Sequence, residues 1–210
     1  MPTEPSPKRC YAFVDGQNLF NAAKDAFGYH FPNYDIFALV RGVCAVRAWD
    51  LEAVYFYTGM PVYEKDKPRH TFWSRKFAVM GRQGVKIFKR NLRYRNKEIK
   101  LSGGASFHHE VAEEKGIDVR IAIDLIRFAT KGLYDVALIF SQDQDLSEAA
   151  EEVKRIAREE RRWIAVASAF PVSTKCRNRR GIEKTDWVEI DRALYDACID
   201  SRDYRDPPPR

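Results

Sequence analysis

The sequence predicts an α/β fold in which helices cover both faces of a mainly parallel sheet, giving a three-layer α/β/α sandwich. Short, continuous apolar runs alternate along the chain with segments of helical periodicity. The runs also lack the in-and-out alternation of half-exposed strands, so each strand is expected to need cover on both faces. The alternative, an antiparallel α+β sheet, would require strands in which polar and apolar residues alternate.

The strands are predicted from apolar runs that are rich in aromatic and β-branched residues and that stop at turn residues. In chain order they are Tyr11–Val14, Leu51–Thr58, Val85–Phe88, Tyr134–Phe140 and Trp163–Ala169. The run Tyr134–Phe140 is expected to be the central strand, with a turn and a helix directly after it.

The helices are predicted where apolar residues recur three and four positions apart and where the ends carry the usual start and stop signals. The first helix has Leu19, Ala23 and Phe27 on one face, whereas Pro68 and Gly81 lie near the ends of the third. In chain order the predicted helices are Asn18–Phe27, Tyr34–Ala48, Pro68–Arg82, Ile117–Thr130, Leu146–Arg162 and Asp191–Ile199.

One middle segment, Arg93–Leu101, differs because charged residues recur through it without an apolar run. It predicts an exposed hairpin or extended arm, and the glycine-rich Ser102–Gly104 predicts a mobile loop. His108–Glu110 could suggest a metal site. The charges of Glu113–Lys115 favour a solvated helix or loop instead.

Composition indicates one folded domain rather than a disordered chain, because 45% of the 210 residues are hydrophobic and 31% are charged. The domain is expected to span residues 10–200, between a flexible proline-containing lead at 1–9 and a flexible tail at 201–210. The formal net charge of +6 is compatible with a polyanionic partner but does not identify one.

The four cysteines are widely spaced and form no C-x-x-C pair, so neither a zinc site nor a disulfide framework is predicted. The N-terminus lacks the apolar core of a signal peptide, and no uncharged stretch is long enough to cross a membrane. We therefore expect a cytoplasmic protein that has no membrane partner.

Acidic side chains occur at three places where a strand ends or a helix begins. Asp15 follows the first strand and precedes Gly16, Asp118 lies in the first turn of an apolar helix, and Asp143 and Asp145 follow the central strand. The carboxyl ends of parallel strands share one edge of a sheet, so these four carboxylates are expected to surround one cleft.

Such a cluster of hard oxygen ligands favours Mg²⁺ or Mn²⁺ as the cofactor, and hydrolysis of a phosphodiester is the usual reaction there. Each residue also has an ordinary structural explanation. Asp15 could occupy a turn, whereas Asp118 and Asp145 could cap helices. Asn18 either orients Asp15, contacts a phosphate or caps a helix. No G-x-x-x-x-G-K-[ST] motif is present, so no nucleotide cofactor is expected.

Asp124 has a different pattern. Arg120, Asp124 and Arg127 follow i, i+4, i+7 spacing, and this slightly favours a salt-bridged stripe on the helix surface. Helical geometry also turns Asp124 about 120° away from Asp118.

Three motifs together resemble the signatures of the NYN domain, in the LabA-like branch of the PIN-like nuclease superfamily. They are Val14–Asn18, Lys115–Asp118 with Asp124 in the same helix, and Ser141–Leu146. The resemblance covers about residues 10–170. One position departs from the family pattern, because Gln142 stands where the S-G-D-x-D motif has glycine.

The resemblance implies a PIN-like fold and a metal-dependent endoribonuclease. It assigns the metal site to Asp15, Asp118, Asp143 and Asp145. Asn18 and Asp124 match two further positions of the family, so we include both among the catalytic candidates.

A nuclease also needs positive charge around its acidic cleft, because carboxylates repel the phosphates of RNA. The first basic group includes Lys86 and the expected RNA-binding residues Lys89, Arg90, Arg93, Tyr94, Arg95, Lys97 and Lys100. The second group follows the last predicted strand and contains Lys175, Arg177, Arg179, Arg180 and Lys184. Tyr94 could stack on an unpaired base, so single-stranded or looped RNA is the expected partner. The alternative for the first group is a solvated edge strand whose charges protect it from aggregation.

Two other classes of function remain open from the sequence. The same fold could serve as a non-catalytic module that binds RNA or protein, with Gln142 as the residue that favours this reading. A phosphatase that uses one aspartate as a nucleophile is the other.

Overall fold

The structure is a computed structural model that describes residues 2–100 and 106–205. Its strands in chain order are β1 Arg9–Asp15, β2 Asp50–Met60, β3 Lys86–Asn91, β4 Arg93–Lys100, β5 Ser106–Glu113, β6 Val136–Phe140, β7 Ala165–Pro171 and β8 Asp186–Ile190. Its helices are α1 Gly16–Phe27, α2 Ile36–Arg47, α3 Lys67–Arg82, α4 Ile117–Thr130, α5 Ser147–Glu159 and α6 Arg192–Asp196, with a 3₁₀ turn at Gln144–Leu146.

The main sheet has six strands in the order β3-β2-β1-β6-β7-β8, and every neighbouring pair in it is parallel. The chain therefore winds outward in one direction from β1 and in the other from β6. This arrangement confirms the predicted parallel sheet. It also creates a switch point between β1 and β6, which is the position where open α/β sheets bind ligands.

Helices cover both faces of the sheet and divide the core into two clusters. In β1, Cys10, Ala12 and Val14 face the cluster beneath α1, α2 and α3. Phe13 faces the opposite cluster, which α4 and α5 cover. Successive side chains of a strand point to opposite faces, so a strand covered on both sides must be apolar throughout. This is why the strand runs were recognisable.

The charged middle segment forms a separate antiparallel hairpin of β4 and β5. The hairpin predicted for Arg93–Leu101 is present over Arg93–Lys100, and Leu101 lies outside the described residues. The prediction of a solvated helix or loop at His108–Glu110 is wrong, because these residues lie in β5 and their backbone pairs with β4. The predicted mobile loop Ser102–Gly104 lies outside the described residues.

The sequence did not predict β8, the edge strand, in which charged residues interrupt the apolar pattern. Both ends of the described chain contact the domain. The backbone oxygen of Lys8 accepts a hydrogen bond from the N–H of Asp50, and Tyr204 is buried with its hydroxyl donating to Asp200. No helix in the described part of the chain is long and apolar enough to cross a membrane.

Candidate active site

The candidate site lies at the switch point, where the carboxyl ends of β1 and β6 are neighbours. Val14 of β1 is paired with Phe140 of β6, so the chain leaves the sheet at adjacent places on both strands. The strand order therefore brings the junction that carries Asp15 next to the junction that carries Asp143.

Asp15 ends β1 and caps α1. It is 6% exposed, and its Oδ1 accepts a hydrogen bond of 2.9 Å from the backbone N–H of Asn18. Close packing explains the glycine at position 16. A Cβ added there would lie 2.5 Å from the ring of Phe56, so only glycine lets α1 approach β2 this closely.

Asp143 lies in the turn after β6. The side-chain oxygen of Asn18 accepts a hydrogen bond of 2.9 Å from the backbone N–H of Gln142, which joins α1 to this turn. Asp143 itself caps the 3₁₀ turn, because its Oδ1 accepts from the N–H of Asp145 at 3.1 Å. One hydrogen-bonded path therefore links Asp15 to the segment that carries Asp143.

The third side of the site comes from the segment between the hairpin and α4. Gly116 adopts a left-handed conformation with φ of 73°, and this turn places Asp118 in the first turn of α4. Glu114 precedes the turn and accepts a hydrogen bond from the backbone N–H of Gly59 at the end of β2. That bond fixes the carboxylate beside the sheet edge.

These junctions enclose a cavity of about 370 Å³, which we call the carboxylate cavity. Its lining residues are Asp15, Gln17, Asn18, Asn21, Glu114, Lys115, Gly116, Ile117, Asp118 and Asp143. Four of the candidate site residues, Asp15, Asn18, Asp118 and Asp143, are thus brought together. Glu114 was not a candidate from the sequence, and its only signal there was its place just before the Lys115–Asp118 motif.

Negative charge accumulates in this cavity. Burial raises the pKa of Asp15 to about 6, and repulsion from Asp143 and Asp118 acts in the same direction. Burial likewise raises the pKa of Glu114 to about 7, with repulsion from Asp15 and Asp118 adding to it. A cation in the cavity would favour the charged forms of Asp15 and Glu114 and would therefore lower both pKa values.

The donor set fits a hard divalent cation. Carboxylate and amide oxygens line the cavity, without cysteine or histidine. Across the described ranges, no three His, Cys, Asp or Glu side chains lie close enough together to hold an ion by themselves. Hard oxygen donors of this kind are the ligands that Mg²⁺ takes, with waters in the positions that the protein leaves open.

Two candidate residues lie away from the cavity lining. Asp145 is exposed in the 3₁₀ turn. Asp124 is 2% exposed, and its Oδ2 accepts from the hydroxyl of Tyr57 at 3.0 Å and from Nε of Arg120 at 2.8 Å. Asp124 thus joins α4 to β2 as well as to the predicted partner Arg120.

Gln142, the departure from the family pattern, holds the second basic group near Asp143. Its side-chain amide donates to the backbone oxygens of Asn178 and Arg180, at 3.4 and 2.9 Å. Gln144 reinforces this link, donating to the oxygen of Gly181 at 3.0 Å and accepting from the N–H of Glu183. Glycine at position 142 has no side chain and could make neither of the two Gln142 contacts.

The second basic group is exposed but partly paired. Arg177, Arg179 and Arg180 are exposed; Arg179 donates to the oxygen of Thr174, and Arg180 lies 3.2 Å from Glu183. These arginines follow β7 and lie on the loop that the two glutamines hold.

The first basic group lies on β3 and the hairpin. Lys89, Arg90, Arg93, Arg95 and Lys97 are exposed. Glu113 lies 2.6 Å from Lys97 and 3.9 Å from Arg95, which reduces the free positive charge of the hairpin.

Tyr94, which is also expected to bind RNA, is engaged by neighbouring residues. Tyr94 is half-buried, its hydroxyl accepts from the backbone N–H of Val62 at 3.2 Å, and the ammonium of Lys65 lies over its ring. This engagement limits the stacking role expected for Tyr94. The side chain of Lys100 lies outside the described part of the chain.

Comparison with known proteins identifies the family. The NYN domain matches residues 9–180. The fold is similar to the crystal structure of a protein of unknown function from Vibrio parahaemolyticus, with 18% sequence identity and a TM-score of 0.50, over 90% of this chain and 98% of that one. No curated protein matches the sequence. On the family match, which covers most of the sequence including the three acidic motifs, the chain belongs to the NYN domain family.

Proposed function

We propose that this protein is a metal-dependent endoribonuclease. NYN domains are PIN-like domains of nuclease type, and the carboxylate cavity is the feature of this chain that carries the proposal. Four buried or half-buried carboxylates at a sheet switch point are suited to a cation, and Mg²⁺ in such sites is bound by carboxylates together with waters and substrate phosphates.

Asp15, Asp118 and Asp143 are the residues we propose to hold the ion, Mg²⁺ or Mn²⁺, together with waters, because the three side chains do not form a complete site by themselves. Such an ion supplies an activated water and neutralises charge on the phosphate. Asn18 positions Asp15 and the Gln142 turn through its two hydrogen bonds. Lys115, a cationic residue of the cavity lining, is the residue we propose to contact a phosphate.

RNA that is single-stranded or looped is the proposed substrate. The exposed cations of β3, the hairpin and the loop after β7 supply attraction for phosphates, and β3 and β7 lie on opposite sides of the β1–β6 pair in the sheet. The cytoplasm is the proposed compartment, since all four cysteines are free and buried.

A non-catalytic binding module is the second candidate, and Gln142 is the observation that favours it. Here the side chain fixes a basic loop beside the acidic turn, which serves binding whether or not the strand is cut.

The test is cleavage of a labelled single-stranded RNA with Mn²⁺, with Mg²⁺ and with EDTA, alongside release of phosphate from a small monoester. Metal-dependent cutting of RNA without monoester hydrolysis supports the nuclease. Monoester hydrolysis without RNA cutting indicates a phosphatase, and binding without either reaction indicates the binding module.

A further inference from the structure

Beside the carboxylate cavity lies a second concavity of about 480 Å³, which we call the aromatic groove. Its walls come from α1, the loop before α2 and the start of α3, and its aromatic residues are Phe20, Phe31, Phe72 and Trp73. Pockets of roughly 300–1,000 Å³ typically take small organic molecules, so this groove has room for one nucleoside.

The groove and the cavity are continuous. Gln17, Asn21 and Glu114 line both of them. Gln17 and Asn21 are exposed, and within the described chain their side-chain amides make no hydrogen bond. Such amides can donate to and accept from the edge of a base.

The chemistry of the groove matches an unpaired base better than an apolar peptide. Phe31 is 46% exposed, which is high for a phenylalanine ring, and the guanidinium of Arg205 lies 5.6 Å from its centre. Arg69, also exposed, is a second cation of the lining. Asp203 lies 2.7 Å from Arg205 and Asp66 lies 3.5 Å from Arg69, which reduces the free positive charge of both. Aromatic faces combined with cations are the usual platform for single-stranded nucleic acid.

We propose that the aromatic groove binds one unpaired nucleobase of the RNA strand whose phosphodiester lies in the carboxylate cavity. The inference rests on the proposed function, because the strand that supplies the base is the strand to be cut. The base beside the scissile bond would then be selected by stacking at Phe31 and by the amides of Gln17 and Asn21.

The test measures dissociation constants for two charge-matched oligomers of about ten units, an oligouridylate and an abasic ribose-phosphate chain. Every protein carries Asp143→Asn, which prevents cutting during the measurement. We expect this background protein to bind the base-bearing oligomer roughly ten-fold more tightly, and Phe31→Ala to remove most of that preference.

Two further variants test whether the preference for the base-bearing oligomer depends on an aromatic ring at position 31. Phe31→Tyr keeps an aromatic face and should retain the preference. Val46→Ala is the control, because Val46 is 74% exposed and lies near the end of α2, where the chain turns towards the start of β2. It should bind both oligomers as the background protein does.

Cleavage by the wild-type protein separates the two proposals. If the wild type cuts RNA and the preference for the base-bearing oligomer depends on Phe31, both the nuclease and the groove proposal are supported. Cutting with equal binding of the two oligomers, or with a preference that Phe31→Ala leaves intact, overturns the groove proposal and retains the nuclease. A preference that depends on Phe31 without any cutting supports the groove and overturns the nuclease. Failure to bind either oligomer overturns the groove proposal.

Discussion

The side-chain oxygen of Asn18 accepts a hydrogen bond of 2.9 Å from the backbone N–H of Gln142, across the switch point of the sheet. The backbone N–H of the same asparagine donates to Asp15. Asn18 therefore fixes the distance between the two strand ends that carry Asp15 and Asp143. A single residue couples the two acidic motifs.

The first prediction concerns that coupling. Asn18→Ala removes the acceptor of the Gln142 N–H and should lower kcat for RNA cleavage by about ten-fold or more, while the free energy of unfolding falls by about 1 kcal/mol. Asn18→Asp retains an acceptor and should keep the turn in place. Denaturant unfolding and steady-state kinetics check both variants. Equal kcat in wild type and Asn18→Ala would show that the link has no role in the site.

The second prediction concerns Gln142. Gln142→Gly restores the family residue but removes two contacts to the loop of Arg179 and Arg180. The loop should open more often, so trypsin should cut there several-fold faster in the native protein. Gln17→Ala is the matched control, because that exposed glutamine makes no side-chain hydrogen bond in the described chain. Equal cutting rates for all three proteins would contradict a clamping role.

The third prediction concerns Asp124, which the family resemblance placed among the catalytic residues. The structure holds it against Tyr57 and Arg120, so we expect a structural role. Asp124→Asn should lower the free energy of unfolding by about 1–2 kcal/mol and leave kcat within about three-fold. A loss of more than about a hundred-fold in kcat at unchanged stability would instead place Asp124 in the reaction.

The sequence predicted the parts of the molecule that burial dictates. β1 and β6 are covered on both faces and must be apolar, so their runs and the acidic residues after them were visible. β5 and β8 were missed because an exposed hairpin strand and an edge strand are held mainly by backbone pairing, which leaves little trace in side-chain pattern.

Within the site, local motifs were readable and distant contacts were not. The motifs located Asp15, Asp118 and Asp143 because each follows a strand or begins a helix. Glu114 was missed because a hydrogen bond to Gly59, far away in the chain, brings it to the cavity. No pattern of neighbouring residues encodes such a contact.

Lys76 provides a prediction about pH. It is 1% exposed, its ammonium donates to the backbone oxygen of Tyr34 at 2.7 Å, and Asp200 lies 3.6 Å away. Burial lowers the pKa of Lys76 to about 8 from an ordinary 10.5, although attraction to Asp200 and Asp35 opposes the shift and Arg202 adds to it. Between these two values the unfolded chain holds a proton that the folded chain has lost.

The free energy of unfolding should therefore rise with pH across that window. Relative to Lys76→Met, which cannot titrate there, the wild type should gain roughly 1–3 kcal/mol between about pH 8 and pH 10. Burial raises the pKa of Tyr204 to about 12 and that of Tyr34 well above its ordinary value, so both tyrosines make the free energy of unfolding fall as pH rises through about 10. That change is common to wild type and Lys76→Met and cancels in the difference. Denaturant unfolding at several pH values measures the difference. Parallel profiles would show that Lys76 stays charged.

The most direct test of the account is single-turnover cleavage of a labelled single-stranded RNA by wild type, Asp15→Asn and Glu52→Gln in Mn²⁺. Glu52 is an exposed carboxylate near the start of β2, outside the cavity lining and without an ion pair in the described part of the chain, and it controls for the loss of one negative charge. We predict cutting by wild type and Glu52→Gln, with the rate reduced at least about a hundred-fold in Asp15→Asn. Equal rates for all three proteins would contradict the claim that the carboxylate cavity is the active site.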